Sequence, residues 1–213
     1  MDSKMIILSH RGYWKKPSER NQKIAFERSF ELGFGTETDL RDSQGKIVIA
    51  HDMPVGGEIS FEDVLQLMDG RNLPLALNIK ADGLAENILE LLEKYNHSNY
   101  FTFDMSIPDM LVQIRRGLRV FTGLSDILPT PVMQDAAAGI WLDSFNSDWY
   151  EAEVIDNLII SGRNVCVVSA DLHKREKNRQ WEIIKKCKSI KDDRLMLCTD
   201  YPEDAEEFFH GKN

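Results

Sequence analysis

Short apolar runs recur along this chain at fairly even intervals, and the stretches between them mostly carry apolar residues at helical spacing. Runs of that length suit buried strands, and the intervening stretches suit helices laid against them. Strand and helix in alternation point to a parallel sheet wrapped by helices, because a parallel pair needs a crossover long enough to hold a helix. The runs fall at Met5 to Ser9, Phe34 to Leu40, Pro74 to Lys80, Asn99 to Asp104, Arg119 to Ser125, Gly139 to Phe145, Val165 to Ala170 and Arg194 to Thr199. Lys46 to Ala50 follows the second run across only Ser43-Gln44-Gly45, so it reads as an excursion. The expected fold is a compact TIM (β/α)8 barrel with a short excursion after strand two. Such barrels usually need ~250 residues and ~200 is near their lower limit, so a chain of 213 is a stripped example.

The helical segments carry their own signals. Helix one is expected at roughly Asn21 to Leu32, with Ala25, Phe26, Ser29 and Phe30 inward and Gly33 closing it. Asn21 reads as its cap, with orienting a ligand as the alternative. A second helix is expected at about Phe61 to Met68, opened by Ser60 and Asp63 in a pattern resembling a capping box. Ile88, Leu91, Leu92 and Tyr95 stripe a third, and Ile107, Met110, Leu111 and Ile114 a fourth. Around Pro129-Thr130-Pro131 the signal is weak, a turn or two of helix at most. Val154, Ile155, Leu158 and Ile159 mark another helix, Trp181, Ile184 and Cys187 the next, and Ala205, Phe208 and Phe209 a last one. No internal repeat, biased segment or linker interrupts the pattern, so one domain over 1–213 is expected.

Charge and cysteine usage narrow the function. The net charge of -9 argues against nucleic acid as a partner, since backbone binding needs a surplus of Lys and Arg. Any phosphate must therefore meet a local positive site. Cys166, Cys187 and Cys198 lack metal-ligand spacing and form no disulfide framework, so they read as reduced thiols. Met1-Asp2-Ser3-Lys4 leads into an apolar run too short for a secretory signal, and no run approaches a membrane span. A cytoplasmic protein with no membrane insertion is expected.

The chemistry-bearing residues stand at strand ends. His10-Arg11-Gly12 closes the first run and Ala50-His51-Asp52 the excursion, while Glu37-Thr38-Asp39 lies at the second. Carboxylates two apart on a strand share a face, because side chains alternate with period two. Asn78 and Lys80 end the third run. Two imidazoles, a guanidinium, an ammonium and a carboxylate pair are the groups that acid–base and metal-assisted chemistry on an anionic substrate requires. His97, His173 and His210 read as structural. Asp52, Asp143, Asp200 and Tyr13-Trp14 carry no assigned role.

In this order, His10-Arg11-Gly12, Asn21 ahead of Ala25-Phe26, Glu37-x-Asp39 and His51-Asp52 resemble the glycerophosphodiester phosphodiesterase family, which is related to the phosphatidylinositol-specific phospholipases C. Leu195-Met196-Leu197-Cys198-Thr199-Asp200-Tyr201-Pro202 looks like that family's last strand and the turn leaving it. The resemblance implies a small-molecule phosphodiester substrate and a divalent cation, Mg²⁺ or Ca²⁺, on Glu37 and Asp39. It implies His10 and His51 as acid and base, and Arg11 and Lys80 as phosphoryl-binding groups. One position departs: the family usually has an acid where this chain has Asn78. An amide oxygen still suits either metal but removes a negative charge, so binding should weaken. Asp82 or Asp104 is the alternative source of a third acidic ligand. The departure gives the rival reading its warrant, a barrel that binds a phosphorylated ligand without cleaving it. A third reading follows from the short segment Met53 to Ser60, which leaves the mouth open to a surface-polysaccharide or nucleotide-linked diester.

Overall fold

The computed structural model describes residues 4–211. In chain order these form β1 (Ile6–His10), α1 (Lys23–Glu31), β2 (Gly35–Ser43), β3 (Lys46–Ile49), α2 (Phe61–Met68), β4 (Leu75–Ile79), α3 (Ala85–Lys94) and β5 (Tyr100–Phe103). There follow α4 (Ile107–Arg115), β6 (Phe121–Leu124), β7 (Gly139–Leu142), α5 (Ala152–Ile160), β8 (Asn164–Val168), α6 (Asn178–Lys185), β9 (Leu195–Thr199) and α7 (Pro202–His210). The strand order β5-β4-β2-β1-β9-β8-β7-β6, with β3 attached to β2 alone, is the topology of a (β/α)8 barrel. The described residues divide into two compact units, one covering Ser9–Val120 and the other residues 4–8 with 121–211.

In the unit Ser9–Val120, β2 pairs in parallel with β4 and β4 with β5, while β3 folds back antiparallel on the far half of β2. Every residue of β4 is buried, as expected of a strand covered on both faces. The inward stripe of α2, Phe61, Val64, Leu65 and Met68, has helical spacing and is buried throughout. Each such side chain contributes about 1.5–3 kcal/mol of transfer free energy. Ser60 and Asp63 make the anticipated capping box, with Ser60 Oγ accepting from Asp63 N at 3.0 Å and Ser60 N donating to Asp63 Oδ2 at 3.0 Å.

In the other unit β6, β7, β8 and β9 form successive parallel pairs. Between β6 and β7 no helix forms among the described residues. Pro129 and Pro131 each lack an N–H and disfavour a helical residue before them. The segment is held instead by polar contacts to strand ends: Leu128 N donates to Ser125 Oγ at 3.0 Å and Thr122 Oγ1 to the Val132 carbonyl at 2.7 Å. The three cysteines are buried and none is in a disulfide. No helix among the described residues is long and apolar enough to cross a membrane. Met1-Asp2-Ser3, on which the signal-sequence reading partly rests, lies outside the described residues.

Candidate active site

The turn after β1 is built to a narrow tolerance. Arg11 and Gly12 both adopt positive φ, 58° and 77°. A Cβ on Gly12 would lie 2.8 Å from Ala25 Cβ and 2.9 Å from its carbonyl carbon, so only glycine admits this approach to α1. Arg11 N donates to the Glu37 carbonyl and Tyr13 N to that of Ala25, each at 2.9 Å. Thr36 Oγ1 accepts from Gly12 N at 3.0 Å and donates to the Ser9 carbonyl at 3.0 Å. These bonds fix the end of β1 to the start of β2. The side chains of His10 and Arg11 are thereby delivered beside Glu37 and Asp39.

Glu37 and Asp39 are 2% and 0% exposed, which two carboxylates tolerate only with partners. Asp39 has several. Asn21 Nδ2 donates to its Oδ2 at 2.9 Å, Arg11 Nε stands 3.1 Å from the same oxygen, and Lys80 Nζ lies 3.6 Å from Oδ1. Glu37 Oε2 accepts from Arg11 N at 3.3 Å and lies 3.8 Å from His10 Nε2. Burial, and then the charge of Asp39, push the Glu37 carboxyl up to about 7, against the opposing pull of His10, Arg11 and Lys80. Lost hydration is thus the main reason Glu37 keeps its proton, with the Asp39 charge second.

Asn78 completes the group. It stands directly across from Asp39 in the parallel register of β2 and β4, and neighbouring strands run about 4.8 Å apart. Asn78 Oδ1 and Asp39 Oδ1 are both buried acceptors without a hydrogen-bond partner. Two buried acceptor oxygens on facing strand positions with no hydrogen bond, one of them only in a long ion pair with Lys80, fit a hard cation that takes oxygen ligands. Among the described residues no three His, Cys, Asp or Glu side chains gather in metal-holding geometry; the third donor here is an amide. Asp82 accepts from Ser106 Oγ at 2.6 Å at the start of α4.

The structure therefore brings His10, Arg11, Glu37, Asp39, Asn78 and Lys80 together on neighbouring strand ends. His51 is joined to them more loosely. Ala50 N donates to the Asp39 carbonyl at 3.0 Å, which moors the end of β3 beside the site. The His51 side chain is 46% exposed, and its Nδ1 is 2.9 Å from Asp52 Oδ1. A cavity of about 440 Å³ bordered by Lys23, Asp63 and Gln66 contains none of these groups.

One expectation is corrected. Asn21 does not cap α1, whose N-terminal flanking residue is Gln22 with no side-chain cap. At φ 58° Asn21 turns its amide to the site, donating to Asp39 and accepting from Thr38 Oγ1 at 3.0 Å. The helix begins two residues later than periodicity suggests, and that shift frees Asn21. His97 is structural as expected, with Nε2 3.1 Å from the Asn99 carbonyl and burial holding its pKa down. Asp200 lies at a tie: Asp171 accepts from its backbone N at 2.8 Å and from Thr199 Oγ1.

Strand-end carboxylates, an amide, an imidazole and two cationic side chains on a (β/α)8 barrel define a site equipped for a cation and an anionic ligand. No protein-family model matches the sequence, and no curated protein matches it. Solved structures do resemble the fold. A glycerophosphodiester phosphodiesterase from Agrobacterium tumefaciens str. C58 superposes with a TM-score of 0.72 at 16% identity, covering 97% of this chain and 100% of that one. An Oleispira antarctica phosphodiesterase in complex with the product sn-glycerol-3-phosphate gives 0.66 at 14%, covering 96% of each. Phosphoribosyl anthranilate isomerase from Thermus thermophilus gives 0.51 at 12%, with 97% and 98% covered. At these identities the likeness is one of fold.

Proposed function

We propose that this protein is a metal-dependent phosphodiester hydrolase acting on a glycerophosphodiester-like small molecule. The observation that carries the reading is the pair of orphaned buried oxygens, Asp39 Oδ1 and Asn78 Oδ1, beside a Glu37 whose proton is held by burial. Glu37, Asp39 and Asn78 would hold Mg²⁺ or Ca²⁺, and the fold shared with two phosphodiesterases supports the substrate class. A cation bound there supplies positive charge against the phosphoryl oxygens.

The chain's own residues do the rest. Arg11 offers a planar guanidinium suited to two phosphoryl oxygens, and Lys80 adds a point charge. Both already lean on Asp39, so their positions are set before substrate arrives. His10 and His51 are the proton carriers. One takes the proton of a neighbouring substrate hydroxyl as it bonds to phosphorus and the other protonates the departing oxygen, giving an alcohol and a cyclic phosphate. Water then opens the cyclic phosphate to a glycerol phosphate with the two roles reversed. Asp52, at the His51 Nδ1, leaves Nε2 as the ring nitrogen available for proton transfer.

Phosphorus magnetic resonance on a panel of glycerophosphodiesters, with Mg²⁺ or Ca²⁺ supplied, tests this reading. Conversion of a diester signal to a glycerol phosphate signal is expected. Binding of diesters with no conversion under either metal would instead leave a non-cleaving phosphate-binding barrel, the reading that Asn78 in place of an acid favours.

A further inference from the structure

The unit from Phe121 onward holds a polar cluster that the proposed chemistry does not use. Asp143 follows β7 with a nearly buried carboxylate, 9% exposed. Its Oδ1 accepts from Ser144 N at 2.7 Å and lies 2.7 Å from His173 Nε2. His173 ends the short 3-10 segment Ala170–His173 after β8. Its ring also lies against that of Phe145, centroids 4.6 Å apart, and Phe145 is 39% exposed.

A tie between the two loops is the plain explanation, but the loops are already tied. Arg175 donates to the Ser144 carbonyl at 2.7 Å and to Asp148 at 2.5 Å. Buried Gln180 Nε2 donates to Tyr150 Oη and the Val168 carbonyl, each at 2.9 Å, and its Oε1 accepts from Ala170 N at 2.8 Å. Against that frame the imidazole is redundant as a brace. What remains distinctive is its orientation: Asp143 holds Nε2, while Nδ1 bonds to nothing in the described protein, on a ring 23% exposed.

We infer that His173 and Phe145 form a binding subsite for a neutral polyhydroxylated molecule, with Nδ1 hydrogen-bonding a hydroxyl and the phenyl face receiving the ligand's C–H surface. Neutrality follows from the charges facing the ring. Asp143, Asp126 and Asp148 stand against the imidazole, Arg175 and Arg179. With the ring protonated beside Asp143 the charges match in number, and no surplus of either sign is left for an ion. Hydroxyls suit a single outward-facing ring nitrogen, and an exposed aromatic face gains dispersion contacts from a carbon skeleton. As a binding site it stands independently of the hydrolase reading.

The test uses the full chain labelled with ¹⁵N-histidine, titrated with glycerol and with myo-inositol, the His173 signal being assigned through His173→Gln. A saturable shift at His173, unchanged signals at buried His97, and loss of the shift in Phe145→Ala are expected. Absence of a shift, or one shared without saturation by every exposed histidine, overturns the subsite. Diester hydrolysis followed by phosphorus magnetic resonance on the same protein forms the second arm. Saturable shifts without any diester hydrolysis would keep the subsite and remove the hydrolase reading. Hydrolysis with no shift would do the reverse.

Discussion

Replacing Glu37 with Gln reads the electrostatics of the site directly. Glu37 is 2% exposed, and burial together with Asp39 pushes its pKa from 4.5 to about 7. A folded-state value above the unfolded one means that the folded protein holds the proton more tightly. The stability this contributes is complete below about pH 4.5 and is lost as pH rises through about 7. At about 1.4 kcal/mol per pH unit, the interval from 4.5 to about 7 is worth about 3 kcal/mol. Gln carries no charge at any pH. In chelator, the unfolding free energy of Glu37→Gln relative to the parent should therefore rise by about 3 kcal/mol between about pH 4.5 and about pH 8. Urea denaturation followed by circular dichroism at closely spaced pH values measures this difference, and any constant offset from the change of shape cancels. A difference that stays flat, or shrinks as pH rises, would refute the reasoning.

Other expectations follow from the same geometry. Gly12→Ala places a methyl group 2.8 Å from Ala25 Cβ at φ 77°; a loss of about 2 kcal/mol or more is expected by urea denaturation, from positive-φ strain and overpacking together. Asn21→Ala removes a hydrogen bond to a buried carboxylate and should cost about 1–3 kcal/mol, read as a lower denaturation midpoint. Asn78→Asp restores an acidic ligand, and calorimetry should show Ca²⁺ binding at least about tenfold tighter than in the parent. His10→Ala and His51→Ala should each abolish diester turnover while leaving the circular dichroism spectrum unchanged; parent-like turnover in either variant removes the proposed mechanism.

The topology was legible because parallel strands covered on both faces appear as continuous apolar runs, as in β4 and β8, and their order follows the chain. The period-two placement of Glu37 and Asp39 was legible for the same reason. Asn21 was not. Its role depends on a positive φ and on α1 beginning at Lys23, and neither leaves a trace in hydrophobic periodicity. The Asp143–His173 pair also escaped, because its members are separated by 30 residues and each alone looks like an ordinary strand-end polar group. The orphaned oxygen of Asn78 is a product of packing: an amide is satisfied or not according to what faces it, and sequence names only the amide.

Calorimetric titration of Mg²⁺ and Ca²⁺ into the parent and into Asp39→Asn, paired with glycerol phosphate release at each metal concentration, tests the central claim most directly. The account predicts saturable binding near one equivalent in the parent, turnover that rises with that occupancy, and loss of both in the variant. Turnover at full rate in chelator, or metal binding unaffected by the Asp39 substitution, would contradict it.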